Sequence, residues 1–188
     1  QDNVGETTPP TGLTINGDNI DVQDITTTGD LILRPNATLA ADGLPRGLVT
    51  LNSTINTNGG AVTLGPAGGL NAVPSVASIV VNGNGTINTA GGNVTMENNT
   101  KITSIMMGAD VGDLTINAGG GTATLTELNA QGSINVTAAN INLVRRTGAL
   151  VFDENGDQGF NDFGADLVAR AAITFSVTPS LQGTGRDH

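Results

Sequence analysis

A ten-residue phrase recurs along the chain at nearly constant spacing, and this limits the possible folds more than any other feature. Ile55-Asn56-Thr57-Asn58-Gly59-Gly60-Ala61-Val62-Thr63-Leu64 returns 32 residues later as Ile87-Asn88-Thr89-Ala90-Gly91-Gly92-Asn93-Val94-Thr95-Met96, with seven of ten positions identical. It returns again from Ile116 to Leu125, has a degenerate forerunner from Ile25 to Leu33, and leaves a weaker echo from Ile134 to Leu143. Fixed-period self-similarity is the mark of stacked units that cannot bury an apolar face alone. Within each copy Ile, Val and Leu alternate with Asn and Thr at period two, which predicts strands with one aliphatic and one polar face. The central Gly-Gly is expected to supply the positive φ angles of a sharp corner.

Further β-rich runs precede the copies at Leu48 to Leu51, Ile79 to Val81 and Ile102 to Met107, so each unit holds about three short strands. The predicted fold is all-β: a β-solenoid with coils of about 30 residues and a non-repeat C-terminal cap. Its inward columns should be Ile25, Ile55, Ile87 and Ile116; Val62, Val94 and Ala123; and Leu33, Leu64, Met96 and Leu125. Each fully buried aliphatic contributes about 1.5–3 kcal/mol. Stacked Asn56, Asn88 and Asn117 are placed to form an amide ladder. The alternative with the same alternation is an antiparallel β-sandwich or jelly roll.

Composition narrows the function. The 188 residues suffice for one sizeable core, and 27 Gly, 26 Thr and 21 Asn outweigh four Phe, with no Trp, Tyr or Cys. Without cysteine there is no disulfide framework and no thiolate metal site. The single histidine, His188, leaves the body of the chain without the usual neutral-pH general base. A net charge of −10 opposes nucleic acid and anionic membranes as partners. No stretch approaches the ~20 apolar residues of a spanning helix. Gln1 without an initiator Met reads as a processed N-terminus, consistent with secretion.

The units from Thr86 to Met96 and from Gly112 to Leu125, followed by Gly132-Ser133-Ile134-Asn135-Val136, resemble the β-strand-repeat and filamentous-haemagglutinin-like surface proteins of bacteria. The resemblance spans residues 25 to 144. It implies a secreted, extracellular or cell-surface β-solenoid with an adhesive or structural role and no enzymatic activity.

The ends differ from the body. Residues 1 to 12 form a Pro-bearing polar arm, residues 13 to 144 the repeat body, and residues 145 to 188 a cap or coupling segment with a short helical turn near 166 to 170 and a strand at 171 to 177. Open solenoid ends present strand edges that template further pairing. Two segments are candidate joiners: Leu13 and Ile15 with the arm before them, and Ile173, Phe175 and Val177. Their use would make the chain the self-assembling subunit of a filament or surface layer, a homopolymer; the alternative is a monomeric adhesin-like module that binds glycans or a host surface through its Asn and Thr faces.

Few constellations carry chemistry. Oxygen-bearing Asp153, Asn155, Asp157, Gly159, Asn161 and Asp162 have the spacing of a calcium loop, although Gln158 and Gly164 stand where such a loop has Gly and a bidentate Glu. The simpler reading is a solvated acidic turn. Asp18, Asp21, Asp24 and Asp30 invite a glycosidase reading, weakened by the lack of aromatic sugar platforms. Thr122-Ala123-Thr124 resembles an ice-binding threonine ladder, but Thr63 and Thr95 stand singly between apolar neighbours. Six Asn-x-Ser/Thr sequons, at Asn36, Asn52, Asn84, Asn93, Asn98 and Asn135, and the paired Arg145-Arg146 complete the inventory.

Overall fold

Strands two to seven residues long follow one another along the chain, and they are gathered into parallel sheets. The computed structural model describes residues 4–5, 7–17, 19–35, 38–39, 45–51, 54–65, 76–97, 99–144, 151–152, 158–159 and 167–177. Sheet A contains Ile25–Thr26, Thr54–Asn56, Gly85–Asn88, Leu114–Asn117, Ile134–Ala138 and Ile173–Val177 in that spatial order. Sheet B contains Leu13–Gly17, Leu31–Pro35, Val62–Leu64, Val94–Met96, Thr122–Leu125 and Asn140–Leu143. Sheet C orders Asn19–Val22, Pro45–Leu51, Val76–Asn82, Asn99–Ile105, Glu127–Ala130 and Leu167–Ala169. The chain visits B, C and A in rotation, and each visit adds one parallel strand beside the last. We call one such circuit a tier.

Spatial order follows chain order in all three sheets, and each strand pairs with its counterpart one tier away. That pairing overturns the antiparallel sandwich or jelly roll. Antiparallel pairs are confined, among the described strands, to Thr38–Leu39 on Pro45–Leu51 and to Val151–Phe152 on Gln158–Gly159. No helix occurs among the described residues. The helical turn expected near 166 to 170 is instead a strand, Leu167–Ala169, because Leu167 and Ala169 continue the apolar columns of sheet C above Leu128 and Ala130.

The registers reproduce the predicted columns and extend them. Ile25, Ile55, Ile87 and Ile116 stack directly, and Val136 and Phe175 continue the line. The intervals are 30, 32 and 29 residues and then 20 and 39, so the late units abandon the period while keeping the register. Val62, Val94 and Ala123 lie above Leu13 and Leu31 and below Ile141. Leu33, Leu64 and Met96 lie above Ile15, while Leu125 pairs with Leu143. The eleven side chains of the predicted columns are at most 3% exposed, and exposure rises only at the first and last tiers.

The glycine corners divide two jobs that the sequence reading had assigned to one pair. Positive φ falls on the residue before the pair and on its first glycine: Asn58 (46°) with Gly59 (105°), and Ala90 (51°) with Gly91 (119°). Two successive positive φ values make a type I′-like turn. The second glycine is required by the tier below. A Cβ on Gly60 would lie 2.2 Å from the Gly29 carbonyl carbon, one on Gly92 2.1 Å from the Gly60 oxygen, and one on Gly121 2.3 Å from the Gly92 oxygen. Buried Thr27, Thr57 and Thr89 close the same corners, their hydroxyls donating to the carbonyls of Gly29 (2.6 Å), Gly60 (2.5 Å) and Gly92 (2.5 Å).

Two substitutions separate these jobs in urea unfolding. Gly92→Ala should lose about 1–3 kcal/mol through backbone overlap. Ala90→Gly should gain about 1 kcal/mol by relieving a left-handed alanine.

Candidate functional site

A recurring acceptor sits where the chain enters its strands. In each case an Asp or Asn just before a strand receives, on Oδ1, the backbone N–H of its counterpart one tier on. Asp24 accepts from Thr54 (2.9 Å), Asp30 from Ala61 (2.8 Å), Asn84 from Asp113 (2.9 Å), Asn93 from Thr122 (2.8 Å) and Asp113 from Ser133 (2.6 Å). These N–H groups lie at corners, and the side-chain oxygen satisfies a donor that would otherwise need water. Sequence reasoning missed this use. The signal was legible as an Asp or Asn immediately ahead of an alternating aliphatic run. Two of the four aspartates considered for carbohydrate cleavage, Asp24 and Asp30, are thereby engaged with backbone; Asp21 is an exposed member of Asn19–Val22, and Asp18 lies outside the described residues.

Long-range ion pairs bind tiers together. Arg34 Nη1 reaches Glu97 Oε2 at 3.1 Å across an intervening tier. By continuation of the register Gly65 stands between them, and it is glycine because its φ is 128° and a Cβ there would lie 2.3 Å from the Thr100 hydroxyl. Lys101, the only lysine, pairs with Glu127 Oε1 at 2.8 Å, and these residues are direct register partners. At the corner between sheets B and C, Thr100 donates to the Glu97 carbonyl at 2.5 Å, and Thr126 donates to the Thr100 carbonyl.

The calcium-loop residues Asp153, Asn155, Asp157, Asn161 and Asp162 lie outside the described residues, as do Arg145 and Arg146. Gly159 is described and pairs with Val151. Among the described residues no cluster of three or more metal-binding side chains occurs. No helix of the described residues is long and apolar enough to cross a membrane.

The candidate joiners occupy opposite ends of the stack. Leu13 and Ile15 belong to the first strand of sheet B, half-buried over Leu31 and Leu33. Ile173, Phe175 and Val177 belong to the last described strand of sheet A, paired on one side with Ile134, Val136 and Ala138. There the inward side chains are 42, 41 and 62% exposed, whereas Ile134, Val136 and Ala138 are at most 1% exposed. Leu143 ends a column of sheet B in the same way. The arm preceding Leu13 folds back on its own chain: Val4 donates to the Asp24 carbonyl (2.9 Å) and accepts from Thr26 N–H (2.8 Å), bridging parallel to Ile25.

The outward face of sheet A is uniform in chemistry. Thr54, Thr86, Thr115 and Asn135 form one column, and Asn56, Asn88, Asn117 and Thr137 the next. The amide ladder is present as one long bond, Asn88 Nδ2 to Asn56 Oδ1 at 3.4 Å; Asn88 and Asn117 turn their Oδ1 atoms to the N–H groups of Ala90 and Gly119. Sheet B carries a matching column of Thr63, Thr95 and Thr124, so stacked hydroxyls occur on both sheets as single-threonine columns.

Comparison with protein-family models, with curated proteins and with solved structures finds no match. The reading of function rests on geometry and sequence.

The strand-entry acceptors give a direct test. Asp113→Ala should lower unfolding stability by about 1–2 kcal/mol, and Asp113→Asn, which keeps an oxygen acceptor, should retain most of it. Urea midpoints of the two variants measure the difference.

Proposed function

We propose that the chain is a β-solenoid serving as an extracellular structural subunit, which self-associates end to end. The observation that carries this reading is the exposure of Ile173, Phe175 and Val177 on the strand that ends sheet A among the described residues, beside buried Ile134, Val136 and Ala138. An apolar, five-residue edge is a template for another strand, because main-chain groups supply affinity and alternating side chains supply register. The resemblance to bacterial repeat surface proteins and the cysteine-free, acidic composition agree with a secreted scaffold. Catalysis has little support: the aspartates that can be placed are exposed or bound to backbone, and the body contains no histidine.

Light scattering and negative-stain electron microscopy across a concentration series test the proposal. The chain should form linear polymers above a threshold concentration. Phe175→Asp, which puts a charge on the exposed edge, should raise that threshold about tenfold or more while leaving the circular dichroism unchanged. A chain that stays monomeric at all concentrations overturns the reading.

The neutral outer face of sheet A favours a second reading, a module for uncharged polysaccharide. Thr86, Asn88, Thr115, Asn117, Asn135 and Thr137 present only hydroxyl and amide groups, in a chain of net charge −10. Without aromatic rings each contact is weak, so affinity has to accumulate along a chain that spans several tiers. Retention on an immobilised neutral glucan should persist in high salt and fall with Thr115→Arg. Retention that is unchanged by this substitution removes the face from consideration.

A further inference from the structure

The end-to-end reading leaves open which groups meet at the joint, and the direction of the hydrogen bonds decides it. Along sheet A the inward residues turn their main-chain groups toward the following tier. Thr27 N–H donates to the Asn56 carbonyl (2.8 Å), Thr57 N–H to Asn88 (3.1 Å), Leu114 N–H to Ser133 (2.8 Å) and Ile134 N–H to Ala172 (2.8 Å). Phe175 stands in the same column as Ile25, Ile55, Ile87, Ile116 and Val136. By this alternation its N–H and C=O are directed beyond the last described strand of sheet A.

At the opposite end, the N-terminal arm already occupies the place that such a strand would take, through Val4 and, at Thr28 N–H, through the Pro10 carbonyl. Val4 is bridged to Ile25 and therefore lies in that same column, giving its N–H to the Asp24 carbonyl and its C=O to Thr26 N–H. Those are the two bonds that a Phe175 placed there would make. The arm holds this edge at two separated points only, Val4 and the Pro10 carbonyl that accepts Thr28 N–H (2.8 Å), whereas Ile173–Val177 is a full strand with three exposed apolar side chains.

We propose that Val4 is a self-cap, and that assembly proceeds when the Ile173–Val177 strand of a second copy displaces it and pairs with Ile25–Thr26. This rests on the end-to-end reading and specifies its partner and register. Phe175 of one copy lies opposite Ile25 of the next, and Ser176 lies opposite Thr26. Sheets B and C then continue without a gap, because the rotation B, C, A that ends at Val177 resumes at Leu13. Ile141 and Leu143 meet Leu13 and Ile15, while Leu167 and Ala169 meet Ile20 and Val22. Sheet C also brings exposed Arg170 diagonally beside exposed Asp21 of the other copy. The contact is heterologous and does not close on itself, so it propagates as a filament. The N-terminal arm thus restrains assembly, in contrast to its expected role as a joiner.

The chain has no cysteine, so introduced thiols report the register. The test mixes a Thr26→Cys chain with a Ser176→Cys chain under mild oxidation, with Thr137→Cys replacing Ser176→Cys as the control. It also compares assembly thresholds of the wild type and Val4→Pro, which removes the N–H given to Asp24 without touching any strand of the three sheets. The expected results are a disulfide-linked heterodimer above the control yield and a threshold about tenfold lower for Val4→Pro. Polymers whose threshold is unchanged or raised by Val4→Pro, or whose cross-linking equals the control, overturn the self-cap and its register while leaving end-to-end assembly standing. A wild type and Val4→Pro that both remain monomeric overturn assembly itself.

Discussion

Vertical register is the constraint on which the rest of the structure depends. Each strand finds its hydrogen-bond partner one tier away, so every side chain is placed by the residue beneath it. The aliphatic column from Ile25 to Phe175 survives changes in unit length from 20 to 39 residues because insertions leave the sheets between strands. The corners hold the tiers close. Gly60, Gly92 and Gly121 lie where a Cβ would enter the backbone of the preceding glycine, so the glycine column sets how nearly successive corners approach. A core without Trp or Tyr suffices under these conditions, since short aliphatics stacked in register fill the space between three sheets.

The same register explains the polar composition. An Asp or Asn before a strand accepts the N–H of the residue directly across from it, from Asp24 and Thr54 through Asp113 and Ser133. Thr27, Thr57 and Thr89 answer corner carbonyls from inside. Arg34 and Glu97 join across a tier, and Gly65 between them leaves room for the Thr100 hydroxyl. Among the described residues, Asp24, Asp30 and Asp113 are engaged with main chain, and Arg34 with Glu97 and Lys101 with Glu127 are engaged with each other.

Much of the interior was legible in the sequence because period two and a fixed lag state which residues share a column. Ile55, Ile87 and Ile116 could be aligned by their Gly-Gly phrase alone, and Ile25 by a degenerate copy in which Gly29-Asp30 takes its place. The later units could not, since Ile134 to Leu143 lacks the corner glycines and Phe175 follows at a different interval. The strand at Leu167–Ala169 was misread as a helical turn because three residues carry no usable periodicity. Its conformation follows from Leu128 and Ala130 beneath it, which are nearly forty residues away in the chain. The position of Asp24 and Asp30 ahead of a strand is legible in the sequence, but their partners, Thr54 and Ala61, are adjacent only once the tiers are stacked.

The sequence by itself determined that the chain builds three-strand units, which side chains of the central units point inward, and that thiol and histidine chemistry are missing from the body. Those properties are local and repeat, so pattern and composition are enough to read them. The tertiary structure alone decided that the second glycine of each corner answers to the tier below, that threonine and asparagine columns line the outer face of sheet A, and that Val4 covers one end of that sheet while Phe175 is exposed at the other. Each of these depends on which strands lie side by side, and that is settled by main-chain pairing between segments far apart in sequence.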